Sequence, residues 1–146
     1  MLRAAAIGLV AFALSNPAFS ETIKLACHFA ELKSFPSGNE EKSSGRIVLQ
    51  IETENGETMI SGTGADLSIA VGNIKVGAIV DLQDSSDAGK WDITNKTISP
   101  DQSSWLTQVV IDRNTGDFNF YRSKDGGIST DATGTCEKVK LSARKF

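Results

Sequence analysis

Outside its first twenty positions the chain alternates apolar and polar residues almost throughout. Trp105, Thr107, Val109 and Ile111 share one parity, a polar knot follows (Asp112, Arg113, Asn114, Thr115, Gly116), and Phe118 and Phe120 then resume the alternation. Period-two patterning around a short Asn/Gly loop predicts an antiparallel hairpin with one buried face. The stretch from Trp105 to Arg122 is therefore read as the organiser of the core. Thr22 to Ala30 predicts the first strand, with Ile23, Leu25, Cys27 and Phe29 on one face and His28 on the polar one.

Several further segments follow from the same rule. Arg46 to Glu52 alternates Ile47, Leu49 and Ile51 and runs into Asn55-Gly56, a strong type I′ hairpin signal, with Thr58 to Ile60 beginning the return strand. Ser61-Gly62-Thr63-Gly64 interrupts that strand. It lacks the third glycine, lysine and helix of a phosphate loop, and so reads as a glycine bend or bulge. Leu67 to Val71, then Gly72-Asn73, then Ile74 to Val80 predicts a third hairpin. Trp91 to Ile98 reads as a short hairpin turning at Asn95-Lys96, and Asn95-Lys96-Thr97 also matches a glycosylation acceptor. Ser99-Pro100-Asp101-Gln102 has the residues of a capping box and predicts one helical turn. Ser123 to Asp131 reads as a polar Gly-Gly turn and Thr133 to Leu141 as the closing strand. There Cys136 shares parity with Lys138 and Lys140, so either a bulge intervenes or the cysteine lies at the edge of the core.

Two segments read as loops. Glu31 to Gly45, with Pro36, Gly38 and a charged run, is long for a compact domain, which makes it mobile or functional. Asp81 to Gly89 carries Asp81, Asp84 and Asp87. Three carboxylates could hold calcium, but their spacing is not that of a calcium loop, and a solvated connection is the preferred reading.

The 146 residues allow one domain. Residues 1–20 read as a signal peptide: Arg3, the apolar run Ala4 to Leu14, the break Ser15-Asn16-Pro17, and small residues in Ala18-Phe19-Ser20. The run is too short for the ~20 residues of a membrane span. The mature β domain is 21–146, placed in the periplasm or secreted, with no membrane insertion after cleavage. Without Arg3 the 15 basic side chains become 14 against 18 acidic ones, and the net charge of −3 becomes −4. This mild acidity argues against nucleic acid as a partner. Cys27 and Cys136 are the only cysteines, and in an exported chain they predict one disulfide joining the first and last strands.

The fold class that follows is all-β: a small up-and-down barrel or curled β-sandwich of about seven to nine antiparallel strands with one disulfide. With Ile111-Asp112-Arg113-Asn114-Thr115-Gly116 and Gly134-Thr135-Cys136 in view, the last third of the chain resembles a loose group of small uncharacterised exported proteins of proteobacteria. The resemblance implies a periplasmic location and a disulfide-linked β fold, and it implies no activity. More distantly, the plan is similar to that of periplasmic lysozyme inhibitors, although their inhibitory-loop signature is absent and no residue is carried over.

No catalytic set, metal set or cofactor site emerges. His28 is the only histidine and has no evident acidic partner, and two cysteines with one histidine give no ligand spacing. Asp112 and Arg113 are read as pairing and holding their own turn. The expected function is that of a binding module, not an enzyme, presenting 31–45 and 81–89 to a protein partner. The alternative is a lipocalin-like carrier of a small apolar ligand, and a packed or an open interior would separate the two.

Overall fold

The computed structural model describes residues 20–64, 67–72 and 78–139, with no side-chain description for 78–80. The predicted signal peptide therefore lies outside the described residues, apart from an exposed Ser20. Nine strands follow one another: β1 (Glu21–Ser34), β2 (Glu40–Glu54), β3 (Glu57–Gly64), β4 (Ser68–Val71), β5 (Ala78–Asp84), β6 (Lys90–Ile98), β7 (Ser104–Asp112), β8 (Asp117–Lys124) and β9 (Ser129–Lys138). They form one antiparallel sheet in the order β4-β3-β2-β1-β9-β8-β7-β6-β5. The sheet curls into a half-barrel, and β4 approaches β6 and β7 across its concave side.

The order is that of a meander closed through β1 and β9 and opened between β4 and β5. Alternating antiparallel pairing along it leaves β4 and β5 running in the same direction. An all-antiparallel ring needs an even number of strands, so nine strands leave the sheet open between β4 and β5. Of the hairpin expected around Gly72-Asn73, Asn73 and most of the return arm lie outside the described residues, and the described end of that arm, from Ala78, pairs elsewhere. β4 pairs with β3, β5 pairs with β6, and the two lie at opposite ends of the sheet. Residues 73–77 are outside the described residues.

The core is the concave face. Leu25, Cys27 and Phe29 of β1 meet Ile47, Leu49 and Ile51 of β2, Ile60, Ile69 and Val71 of β3 and β4, and Trp91, Ile93, Val109, Ile111, Phe118 and Phe120 of β6 to β8. The hairpin of β7 and β8 supplies four of these, as its alternation predicts. Phe29 is flanked by glycines in both ladders, Gly45 on β2 and Gly134 on β9. A methyl group at Gly134 would stand 1.7 Å from the His28 carbonyl, so this close approach excludes any side chain.

The disulfide joins Cys27 and Cys136, direct partners in the β1–β9 ladder, across 109 residues of sequence. No bulge is needed. Ala132, Gly134 and Cys136 form the inward row of β9, and Val139 is exposed. The turn after β2 is as expected, with Asn55 at φ 53° and Gly56 at φ 79°.

Five local readings are corrected. The supposed loop 31–45 is mostly strand: β1 and β2 stay in register from Glu31↔Ser43 to Ser34↔Glu40, and only residues 35–39 turn. Polar side chains on both faces hid it, because this hairpin runs past the apolar core. Likewise Asp81 to Asp84 belongs to β5. Trp91 to Ile98 is part of one uninterrupted strand, with Asn95 inside the barrel. Gly62 and Gly64 cause no register shift in β3. They let it lie close to β2, where added methyls would meet the carbonyls of Val48 and Arg46 at 2.3 and 2.5 Å. At 99–102 a tight turn replaces the helical one. Gln102 N–H donates to the Ser99 carbonyl, and Gln102 itself adopts φ 68°.

Candidate functional site

Pairing register assigns the concave face to layers. One layer runs Gly45, Phe29, Gly134, Phe118, Ile111, Trp91. The next runs Ser43, Glu31, Ala132, Phe120, Val109, Ile93, and the one beyond it Glu41, Lys33, Thr130, Arg122, Thr107, Asn95. The interior thus changes from apolar to polar over one strand step, about 7 Å along the wall. This polar end is the candidate site.

Glu31 is its buried acid, 3% exposed. Lys33 Nζ lies 3.5 Å from one of its oxygens, an ion-pair distance without hydrogen-bond geometry, and the lysine side chain is 37% exposed against 1% for the carboxylate. Neither carboxylate oxygen has a hydrogen-bond partner among the described residues. A buried acceptor left this way is costly. Beside it a cleft of about 430 Å³ is lined by Lys33, Glu41, Lys42 and Ser43.

Arg122 reaches across the concavity. Its guanidinium lies 5.1 Å from the Phe120 ring and donates to the Ser68 carbonyl at 2.7 Å. Burial lowers its pKa, and it keeps its charge. Asn95 makes the second tie to that wall. Its amide accepts from Gly72 N–H at 3.2 Å and donates to the Gly72 carbonyl at 3.1 Å. Gly72 sits at φ 103°, with no room for a side chain beside the Thr58 carbonyl. This use of Asn95 buries the glycosylation motif's acceptor.

At the opposite end of the barrel, Arg113 stacks 4.4 Å over Trp91 and donates to the Asp87 carbonyl at 3.1 Å. A cleft of about 330 Å³ there includes Glu21, Thr58, Asp84 and Asp87. Asp112 holds its own turn, accepting from the N–H groups of Asn114 and Thr115 at 2.8 and 3.0 Å. Those bonds, Thr115 first, hold its carboxyl below the ordinary value. Arg113 does not join it, so the expected pairing of these neighbours is replaced by the stack on Trp91.

The three acids of 81–89 act locally. Asp84 accepts from Ser86 N–H, Asp87 accepts from Gly89 and Lys90 N–H, and Asp81 is exposed on β5. Among the described residues no three histidine, cysteine, aspartate or glutamate side chains gather as a metal set. His28 faces solvent. Sequence reasoning passed over Glu31, Asn95 and Arg122. Each merely continues an inward parity, Glu31 after Phe29, Asn95 after Ile93 and Arg122 after Phe120, and carrying the alternation past the last apolar residue finds all three.

No family model, curated protein or solved structure matches the chain.

Proposed function

We propose that this protein is an exported binding module without chemistry of its own, and that it recognises its partner at the polar end of the half-barrel. The observation that supports recognition over carriage of an apolar ligand is the packing of the concave face. Leu49, Ile60, Ile93 and Val109 are 0% exposed, and Ile111 and Phe118 are 1%. A carrier needs a cavity lined by such side chains, whereas here they fill the space between the walls.

The β1–β2 hairpin carries the recognition surface. β3 accompanies β2 only from Ile47 onward, so residues 40–46 project past it with β1 as their partner. Lys42, Glu40 and Glu41 give the projecting edge charges that discourage strand-to-strand aggregation while leaving it accessible.

A disulfide between β1 and β9 fits an oxidising compartment. No helix among the described residues is long and apolar enough to cross a membrane. With the signal-like residues 1–20, the disulfide supports the periplasm or the exterior as the site of action, as does the resemblance of the last third to small exported proteobacterial proteins.

Capture from a periplasmic extract with the oxidised domain as bait tests the reading. A partner retained by the native domain should be lost when residues 35–39 are replaced by a shorter Asn-Gly turn, with melting temperature unchanged. Equal capture by both baits removes the hairpin end from consideration.

A further inference from the structure

Resting on the recognition reading above, we infer that Glu31 is the anchor of a pocket for a primary ammonium group, a place now occupied by the chain's own Lys33. A carboxylate offers about four lone-pair sites. Both Glu31 oxygens lack a hydrogen-bond donor among the described residues, although the group is almost wholly enclosed. Lys33 neutralises it incompletely, at 3.5 Å from one oxygen only.

The cover is the movable element. Lys33 is a long side chain more than one third exposed, so its head can turn out to water at little cost, and Glu31 has no such freedom. Lys33 also lines the cleft of about 430 Å³, together with Ser43, the cross-strand partner of Glu31. In this reading, turning Lys33 outward opens a way from the cleft to the carboxylate beneath it. An incoming ammonium replaces one cation with another, so the net charge around Glu31 is preserved.

The remaining wall favours this ligand class. In its own layer Glu31 is followed by Ala132 and then Phe120 on the β9 side, with Ser43 on the β2 side, and Phe29 lies one layer below. Apolar walls around one acid accept the alkyl stem that precedes an ammonium head. Glu41, the cross-strand partner of Lys33, lines the cleft with a second negative charge, which offsets the positive charge of Lys42 beside it. Arg122 is held away by the Ser68 carbonyl. Such a head can belong to a free alkylamine or to a lysine side chain of a partner protein, and one carboxylate recognises both.

Titration of the oxidised full chain with n-butylammonium, and separately with Nα-acetyl-lysine methylamide, followed by amide chemical shifts, tests the inference. Saturable shifts at residues 31–33, 43 and 132 are expected in the millimolar range. Lys33→Met should tighten binding several-fold, because removal of an internal competitor raises the fraction of open pocket. Glu31→Gln, which keeps the shape, should abolish binding while the spectrum remains that of a folded domain.

A structural ion pair predicts the opposite for Lys33→Met, namely no gain in affinity, and that result or the absence of saturable shifts in all three proteins overturns the inference. Preference for the lysine derivative points to a protein partner, and equal affinity points to a free amine. Partner capture by Glu31→Gln, measured in parallel, separates the two levels. Retained capture with lost amine binding leaves the recognition reading standing and limits the pocket to free amines.

Discussion

Asn95 and Gly72, twenty-three residues apart in sequence, hold each other by two hydrogen bonds across the seam of the half-barrel, at 3.2 and 3.1 Å. The asparagine amide completes both main-chain groups of a residue at the end of an edge strand. It substitutes for the ladder bonds that β4 and β5, running in the same direction, do not form.

Asn95→Ala should accordingly destabilise the domain by about 2–4 kcal/mol, since it strands a buried donor and a buried acceptor. Amide exchange should accelerate most in β4, at Ile69 to Val71. Expression in a glycosylating host should add no glycan mass at Asn95, which is 1% exposed. An exchange pattern changed equally everywhere would show that the bond pair does not hold the seam.

Gly134→Ala should prevent folding or cost upward of ~4 kcal/mol, because the new methyl collides with the His28 carbonyl in a two-sided ladder. Gly45→Ala meets only the Phe29 ring, at 3.0 Å, and should be tolerated better. Urea titration of the two variants side by side checks the order, and equal midpoints would contradict it.

Loss of the Cys27–Cys136 bond should lower stability by about 2–5 kcal/mol, the usual range for a small exported domain. Non-reducing peptide mapping should recover the two cysteine peptides linked. Reduction should lower the melting temperature by several degrees, as each ~1 kcal/mol is worth roughly 4–8 °C in a small domain. Two titratable thiols per native chain would refute the pairing.

Asp112 should impose a specific acid dependence. Its folded carboxyl titrates below the ordinary 3.8, because the Thr115 and Asn114 N–H groups favour the charged form. The group therefore contributes stability above pH 3.8, and that contribution disappears as pH falls through the lower folded value. Carbon-detected NMR titration should place the Asp112 midpoint below 3.8, and Asp112→Asn should flatten this part of the stability profile.

His28→Ala should change stability by less than ~0.5 kcal/mol, because the side chain faces solvent. A larger thermal shift would mean that the imidazole has a structural role.

Much of the sheet was legible because burial writes its period into the chain. Trp105 to Phe120 is the clearest case, with Val109, Ile111, Phe118 and Phe120 all inward. The reading failed where alternation and apolarity separate. Glu31 and Lys33 keep the parity of Cys27 and Phe29 but not their chemistry, so a paired hairpin carries the polar composition of a loop. Asn95 resembled a turn residue because asparagine prefers turns, yet here its amide is occupied by a strand end far along the chain. Same-direction β4 and β5 left no local mark, because strand sense in a ring depends on parity summed around the whole sheet. The candidate site was least legible of all, being assembled from positions at which several strands change from apolar to polar in one layer.

The adjacency of β1 and β9 has a further consequence for the way the chain assembles. Val139 N–H donates to the Lys24 carbonyl at 3.0 Å, so the ends of the described domain lie side by side in mid-sheet. The central ladder cannot form until the last strand exists, which makes it the slowest contact to close in a chain made from one end. A circular permutant that joins the region after Val139 to Glu21 and opens the chain between β4 and β5 would read β5, β6, β7, β8, β9, β1, β2, β3, β4, the spatial order of the sheet itself. Each strand would then meet only its sequence neighbour. Such a permutant should fold faster than the natural chain, with its cysteines brought from 109 residues apart to a short hairpin span.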